Sequence, residues 1–252
     1  MWEKLLSLEL YHFLFVFARL GGALLFMPFF SSSFIPARVR LLFALAFSVA
    51  LTPAMANVMP APPESVLLLF KYLLIEITVG LFLGLFPAFL MTAVDLTGAN
   101  AAMATSFSNA TVLDPQTSVQ STVLSSFLTL CAVMLIVATN LHHLMLGAVL
   151  DSYSVFPVGQ NLLTGDMSEM LTKALSAAFN YGFRIGAPFI LMIVVLYSSM
   201  GIMSRLMPQL NILFIIMPLQ VYLGLALMMV TLPSVMHWFL RFFDDEIGLL
   251  LR

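Results

Sequence analysis

The chain has 252 residues, with 10 Lys and Arg against 12 Asp and Glu, a formal net charge of −2. Hydrophobic residues make up 62% and charged residues 9%, against roughly 25% charge in soluble domains, which excludes a soluble globular protein. The absence of clustered Lys and Arg excludes a nucleic-acid-binding surface, and a single cysteine, Cys131, excludes an intrachain disulfide framework.

In chain order, residues 10–30 form the first apolar run, long enough at about 20 residues to cross a bilayer. It is too long for the core of a cleaved signal peptide, and no small-residue cleavage site closes it. The breaker SSSFIPARVR, residues 31–40, follows. A second run, 41–58, stops at the proline-rich PAPPE, 60–64, because proline cannot continue a helix. The third run, 65–94, carries Lys71 and Glu76 near its start and Pro87, which predicts a kink.

The stretch 95–122, DLTGANAAMATSFSNATVLDPQTSVQST, is polar and small, with charge only at Asp95 and Asp114. Asp114-Pro115 interrupts it, since a residue before proline leaves the α region and proline has no N–H. Non-helical backbone is held at bilayer depth only where protein buries it or it lines a watery cavity. The stretch therefore predicts a gate or a conduit wall. A fourth run, 123–150, ends at Asp151-Ser152. Residues 167–183 read as an amphipathic lead-in, with Met167, Met170, Leu171, Leu175, Ala178 and Phe179 at helical spacing and Glu169 and Lys173 on the other side. Runs five and six, 185–203 and 212–240, flank the connector SRLMPQLN, 204–211, as a helical hairpin, and a short tail starts at Arg241.

The expected fold is an all-α integral membrane protein of about six long apolar helices, kinked at prolines, with a non-helical central plug-like loop and a C-terminal helical hairpin. Within one membrane-embedded subunit, residues 1–94 hold the N-terminal helices, 95–122 the polar segment, 123–203 the middle helices, and 204–252 the last helix and tail. Arg38 and Arg40 in the first loop, and Arg205 in the last connector, orient both loops towards the cytoplasm.

Few residues offer chemistry. His142 and His143 are adjacent, so on a helix they point about 100° apart and do not share a metal; a metal site is rejected. Ionisable residues within spans are functional candidates, here Arg19, Lys71, Glu76, Asp95, Asp151 and Arg184. Arg19 and Glu76 fit either the substrate or proton path of a stand-alone secondary transporter or channel, or charges paired with each other or with partner subunits to hold an assembly together. Charges such as Arg19, Glu76 and Arg184 have few evident partners in the chain, which predicts that partner subunits supply them. No serine elbow or arranged base marks an enzyme, and no nucleotide loop or cofactor motif is present. Met192, Met200, Met203, Met207, Met217, Met228, Met229 and Met236 crowd the last third; they are either apolar filler or a soft seal for variable cargo.

Three stretches together resemble the flagellar biosynthetic protein FliR family, whose injectisome relatives are the SctT-type export components. They are PFFSSSFIPARVRLLFALAFS (28–48), SFSNATVLDPQ (106–116) and GIMSRLMPQLNILFIIMPLQVYLG (201–224). Asn140-Leu141-His142-His143 and Phe156-Pro157-Val158-Gly159 fit the flagellar branch; an injectisome export-gate subunit is the alternative. Ser106 stands where many members have glycine, and Asn109 where an aromatic or methionine is common.

The resemblance implies a subunit of a type III export gate in the bacterial inner membrane at the flagellar basal body. It implies a hetero-oligomer with FliP- and FliQ-type subunits and an FlhB-type subunit, passing unfolded exported proteins, with contact to membrane lipid and no cofactor. It implies that residues 106–122 plug the closed pore, with Ser106, Phe107, Ser108, Asn109, Ala110, Thr111, Val112, Leu113, Asp114, Pro115 and Gln116 as its body. Arg19, Arg38, Lys71, Glu76 and Arg184 are then assembly or intramembrane charges, and Arg205, Pro208 and Gln209 form the connector. An uncharged polar segment suits such a gate, because cargo that varies in sequence is not recognised by one specific pocket.

Overall fold

The computed structural model describes residues 2–32, 34–55, 58–60, 65–107, 111–113, 120–160, 164–209 and 212–250. Seven helices run in order: α1 (Trp2–Phe26), α2 (Ala37–Met55), α3 (Val66–Ala104), α4 (Val123–Ala138), α5 (Leu141–Val155), α6 (Thr164–Leu206) and α7 (Ile212–Leu250). Five helices are long and apolar enough to cross a membrane, and the pair α4 and α5 makes a sixth if it counts as one span. The protein is an all-α integral membrane protein, with one small exception: strands β1 (Thr111–Leu113) and β2 (Gln120–Thr122) form an antiparallel hairpin, Val112 opposite Ser121.

The helix boundaries correct the sequence reading in four places. Residues 95–104 are helical, so the third run continues ten residues beyond Val94. Asn, Thr and Gly are poorer helix formers than Leu, but the four alanines among these residues are the best, and small side chains let a helix pack closely among others. Conversely, the fourth run breaks at Asn140, which takes a left-handed conformation at φ 61, one that asparagine tolerates better than most residues. The amphipathic lead-in and the fifth run are one 43-residue helix, α6, with Pro188 inside it. Arg38 and Arg40 lie in the first turn of α2 rather than in a loop, because Pro36 already accepts the Val39 and Arg40 amides at 2.9 and 3.1 Å and sets the helix start.

Two compact units are resolved. The first comprises Met1–Phe89, Thr139–Ala174 and Glu246–Arg252. In it, α1 and the first part of α3 meet through glycines four apart: a Cβ on Gly80 would overlap the Arg19 carbonyl, and one on Gly84 the Ala23 carbonyl. Small residues at this spacing let two backbones approach where hydrophobic burial between helices supplies no drive in lipid. A core of Tyr11, Phe15, Val16, Tyr153 and Val158 then packs against Tyr72 and Leu73.

The second unit comprises Leu90–Ala138 and Leu175–Asp245. Here α3 packs on α4 at Gly98, where a Cβ would strike the Ser125 backbone. Thr97 spans α3 and α6, its hydroxyl donating to the Ala93 carbonyl at 2.8 Å and to the Gly182 carbonyl at 3.3 Å. Tyr181 stacks on Phe242 with ring centroids 4.1 Å apart, tying α6 to α7.

Candidate functional site

Two polar regions stand out among the apolar helices, one in each unit. In the first unit, Arg19 and Glu76 are both fully buried. Gly80 lies one turn beyond Glu76 on α3, and the close approach at Gly80 brings the Arg19 side chain within reach of that carboxylate. Arg19 Nε donates to Glu76 Oε2 at 2.6 Å and Nη2 to Oε1 at 3.0 Å, the forked geometry that makes arginine–carboxylate pairs strong. Nη1 donates to the Ser152 hydroxyl at 2.9 Å and Nη2 to the Phe156 carbonyl at 2.8 Å. The guanidinium also lies 3.8 Å from the centre of the Tyr153 ring, a cation–π contact.

Arg19 and Glu76 thus pair with each other, as one reading of the sequence had it, and the node corrects the expectation that they find few partners within the chain. α1, α3 and α5 satisfy each other there. A buried arginine with four hydrogen bonds has little capacity left to bind a substrate.

In the second unit, α3 ends at Ala104 and leaves carbonyls without intrahelical partners. The Thr105 hydroxyl donates back to the Ala101 and Ala102 carbonyls at 2.9 and 3.2 Å. The Met103 carbonyl accepts the Ser106 amide at 3.3 Å and the Gln220 side-chain amide at 3.1 Å. Gln220 is buried on α7, and Gly224, one turn on, leaves room for Thr105. Ser106 then turns the chain in a left-handed conformation at φ 60. Glycine adopts this without strain, whereas other residues do so at a cost of about 1–3 kcal/mol.

The chain returns through the β1–β2 hairpin. Thr122, its last residue, caps α4: its hydroxyl accepts the Ser125 amide at 3.2 Å, a Thr N-cap. On the facing helices Asp95 is held by hydroxyls, accepting from Thr129 at 2.6 Å and from Ser125 at 3.5 Å.

The structure thus places the expected gate residues in three sets. Ser106 and Phe107 are half-buried at the end of α3, and Thr111, Val112 and Leu113 form β1. Ser108, Asn109, Ala110, Asp114, Pro115 and Gln116 lie outside the described residues. Of the expected charges Arg19 and Glu76 are brought together, whereas Arg38, Lys71 and Arg184 are exposed on α2, α3 and α6. Arg205 is exposed in the last turn of α6 rather than in the connector, and Pro208 and Gln209 are exposed between α6 and α7. His142 and His143 sit in the first turn of α5, ring centroids 4.1 Å apart. Glu169 and Lys173 form an exposed pair at 2.7 Å on α6, whereas Phe179, placed on its apolar stripe by spacing, is exposed. Sequence reasoning missed Gln220 and the Gly80–Gly84 pair. A lone amide beside Pro218 in an apolar run, and two glycines four apart, were the available signals.

Long apolar helices joined through a short polar hairpin, with buried charge neutralised internally, define a multi-pass membrane protein without a visible catalytic constellation among the described residues. The profile of bacterial export proteins, family 1, matches residues 10–245. The chain is 32% identical over 224 residues to flagellar biosynthetic protein FliR of Caulobacter vibrioides, covering 88% of this chain and 89% of that protein. The FliR proteins of Escherichia coli and Bacillus subtilis are each 28% identical, over 251 and 232 residues. These alignments cover 99% and 88% of this chain, and 93% and 86% of the two relatives. The chain belongs to the FliR family of flagellar biosynthetic proteins, within bacterial export proteins, family 1.

Proposed function

We propose that the protein is a subunit of the flagellar type III export gate in the bacterial inner membrane, forming part of the channel for unfolded flagellar proteins. In this reading it assembles with FliP- and FliQ-type subunits and an FlhB-type subunit, and residues 106–122 help to close the pore.

The observation that carries the reading is the junction at the end of α3. There a polar chain with a single charge, Asp114, leaves one membrane helix through a strained residue, Ser106, and re-enters the next through a capped strand pair. Backbone of this kind is tolerated at membrane depth where protein surrounds it or where it borders a water-filled path. By sequence the segment is polar and small, with Asp114 its single charge, which suits a seal that must release cargo of many sequences. A stand-alone transporter would place Arg19 and Glu76 on a substrate path; their closed mutual pairing disfavours that reading.

Affinity purification from membranes in mild detergent tests the assembly. Co-purification of the other gate subunits in fixed ratio is the expected result. A monodisperse monomer that transports a solute by itself overturns the proposal.

A further inference from the structure

The first unit contains a groove of about 580 Å³ between α1, α2 and the start of α3. Its walls are almost wholly apolar: Leu14, Gly21 and Leu25 on α1, Leu41 on α2, Phe70 and Ile77 on α3. The exposed parts of Leu14, Leu25, Leu41, Phe70 and Ile77 form its rim. One charged group reaches it, Arg40, in the first turn of α2. Arg40 is half-buried, and its Nε is shielded from solvent with no hydrogen-bond partner among the described residues. Beside Gly21 the groove is open, with no atom within 4 Å of where a Cβ would stand.

A cation with an unmet donor at one end of an apolar trough calls for a ligand that is anionic at one end and apolar along its length. From Leu14 to Leu25 the trough runs about 16 Å along α1, at 1.5 Å per residue. An α-helix about 10 Å across fills roughly 120 Å³ per residue of length, so the groove takes little more than one helical turn; an extended hydrocarbon chain is the better match. Arginine presents a fork of donors suited to a phosphate, and basic pockets between membrane helices bind anionic headgroups.

We infer that this groove is a binding site for an anionic phospholipid, with one acyl chain lying against Gly21 and the headgroup phosphate on Arg40. The site holds α1, α2 and the start of α3 together on their lipid-facing side, independently of how the gate operates.

The test uses the full chain co-expressed with its membrane partners and placed in nanodiscs of phosphatidylethanolamine with a minor fraction of phosphatidylglycerol. Native mass spectrometry and lipid extraction then report which lipid is retained. The wild type retains phosphatidylglycerol above its bulk share. Arg40→Gln lowers that preference about fivefold, the effect of one juxtamembrane positive charge. Arg38→Gln, exposed and outside the groove, leaves it unchanged. Gly21→Leu fills the open space and lowers retention of both lipids.

A photo-crosslinking residue at position 21 gives a readout that does not depend on these variants. Lipid adducts support the site. Adducts to a partner subunit instead show that a protein helix covers the groove and overturn the inference, as does phosphatidylglycerol retention unchanged in Arg40→Gln.

Discussion

The buried charge node in the first unit and the α3–α4 junction in the second solve the same problem in opposite ways. Both bury polar atoms among apolar helices. At the node, full charges meet: Arg19 of α1 is held by a carboxylate on α3 and by a hydroxyl, an aromatic face and a carbonyl on α5 and its C-cap. At the junction, neutral hydroxyls borrow carbonyls of their own helix. Thr105 bonds to Ala101, and Thr97 to Ala93 as well as to Gly182 of α6, while Asp95 is met by the Thr129 hydroxyl of α4. A hydroxyl satisfied by its own helix loses nothing when a neighbour moves, whereas a charge pair separated in a membrane leaves two unpaired ions. The node is therefore suited to fixing a frame, and the junction to a part that changes partners.

The largest effect that sharpens this contrast is at the node. Arg19→Ala or Glu76→Ala leaves one uncompensated buried charge and costs about 3–5 kcal/mol. Thermal denaturation of the detergent-solubilised protein is expected to show loss of the folded fraction in either single variant. The double variant Arg19→Met with Glu76→Met recovers most of the stability, since removing both charges of a buried pair is often close to neutral. A double variant as unstable as the singles breaks the account of the node as a mutually neutralised pair.

Next comes the approach that creates the node. Gly80→Leu drives a side chain into the Arg19 backbone and costs about 1–3 kcal/mol as overpacking. Gly147→Leu, at a position with nothing within 4 Å of its Cβ, is the control and is expected to stay near wild type in the same melt. Equal loss in both variants would remove the case for a specific α1–α3 contact.

At the junction the effects are smaller. Gln220→Leu removes the amide that bonds the Met103 carbonyl and costs about 1 kcal/mol, because the Ser106 amide still partners that carbonyl. Ser106→Gly runs in the other direction. Relief of the left-handed strain at φ 60 raises stability by about 1 kcal/mol. A destabilised Ser106→Gly variant would show that the serine side chain does more than tolerate the turn.

Much of the frame was legible in the sequence, since apolar runs and proline-rich breaks mark helices and loops directly. The misplaced boundaries share one physical cause: single residues and small side chains act through packing. Residues 95–104 look like a loop by polarity, yet Gly98 and Thr97 are polar or small because α4 and α6 pack on them. Asn140 breaks a run that hydropathy shows as continuous, since one left-handed residue leaves no trace in an average. Arg19 and Glu76 were visible as intramembrane charges, but their pairing depends on Gly80, 61 positions beyond Arg19 in the sequence, letting two helices touch. The polar segment drew attention by composition alone, and the two strands within it are too short for any periodicity to register.

The most direct test of the central claim, that residues 106–122 help to close the conduit, is ion or small-solute leakage through membranes that carry the assembled complex. A short deletion within 109–112 shortens β1 and leaves α3 and α4 to pack as before. The control is a deletion of equal length within 160–165. With assembly verified for both, the account predicts raised permeability in the first variant and wild-type tightness in the second. Two assembled variants that are equally tight would contradict it, and the segment would then be a structural connector between α3 and α4.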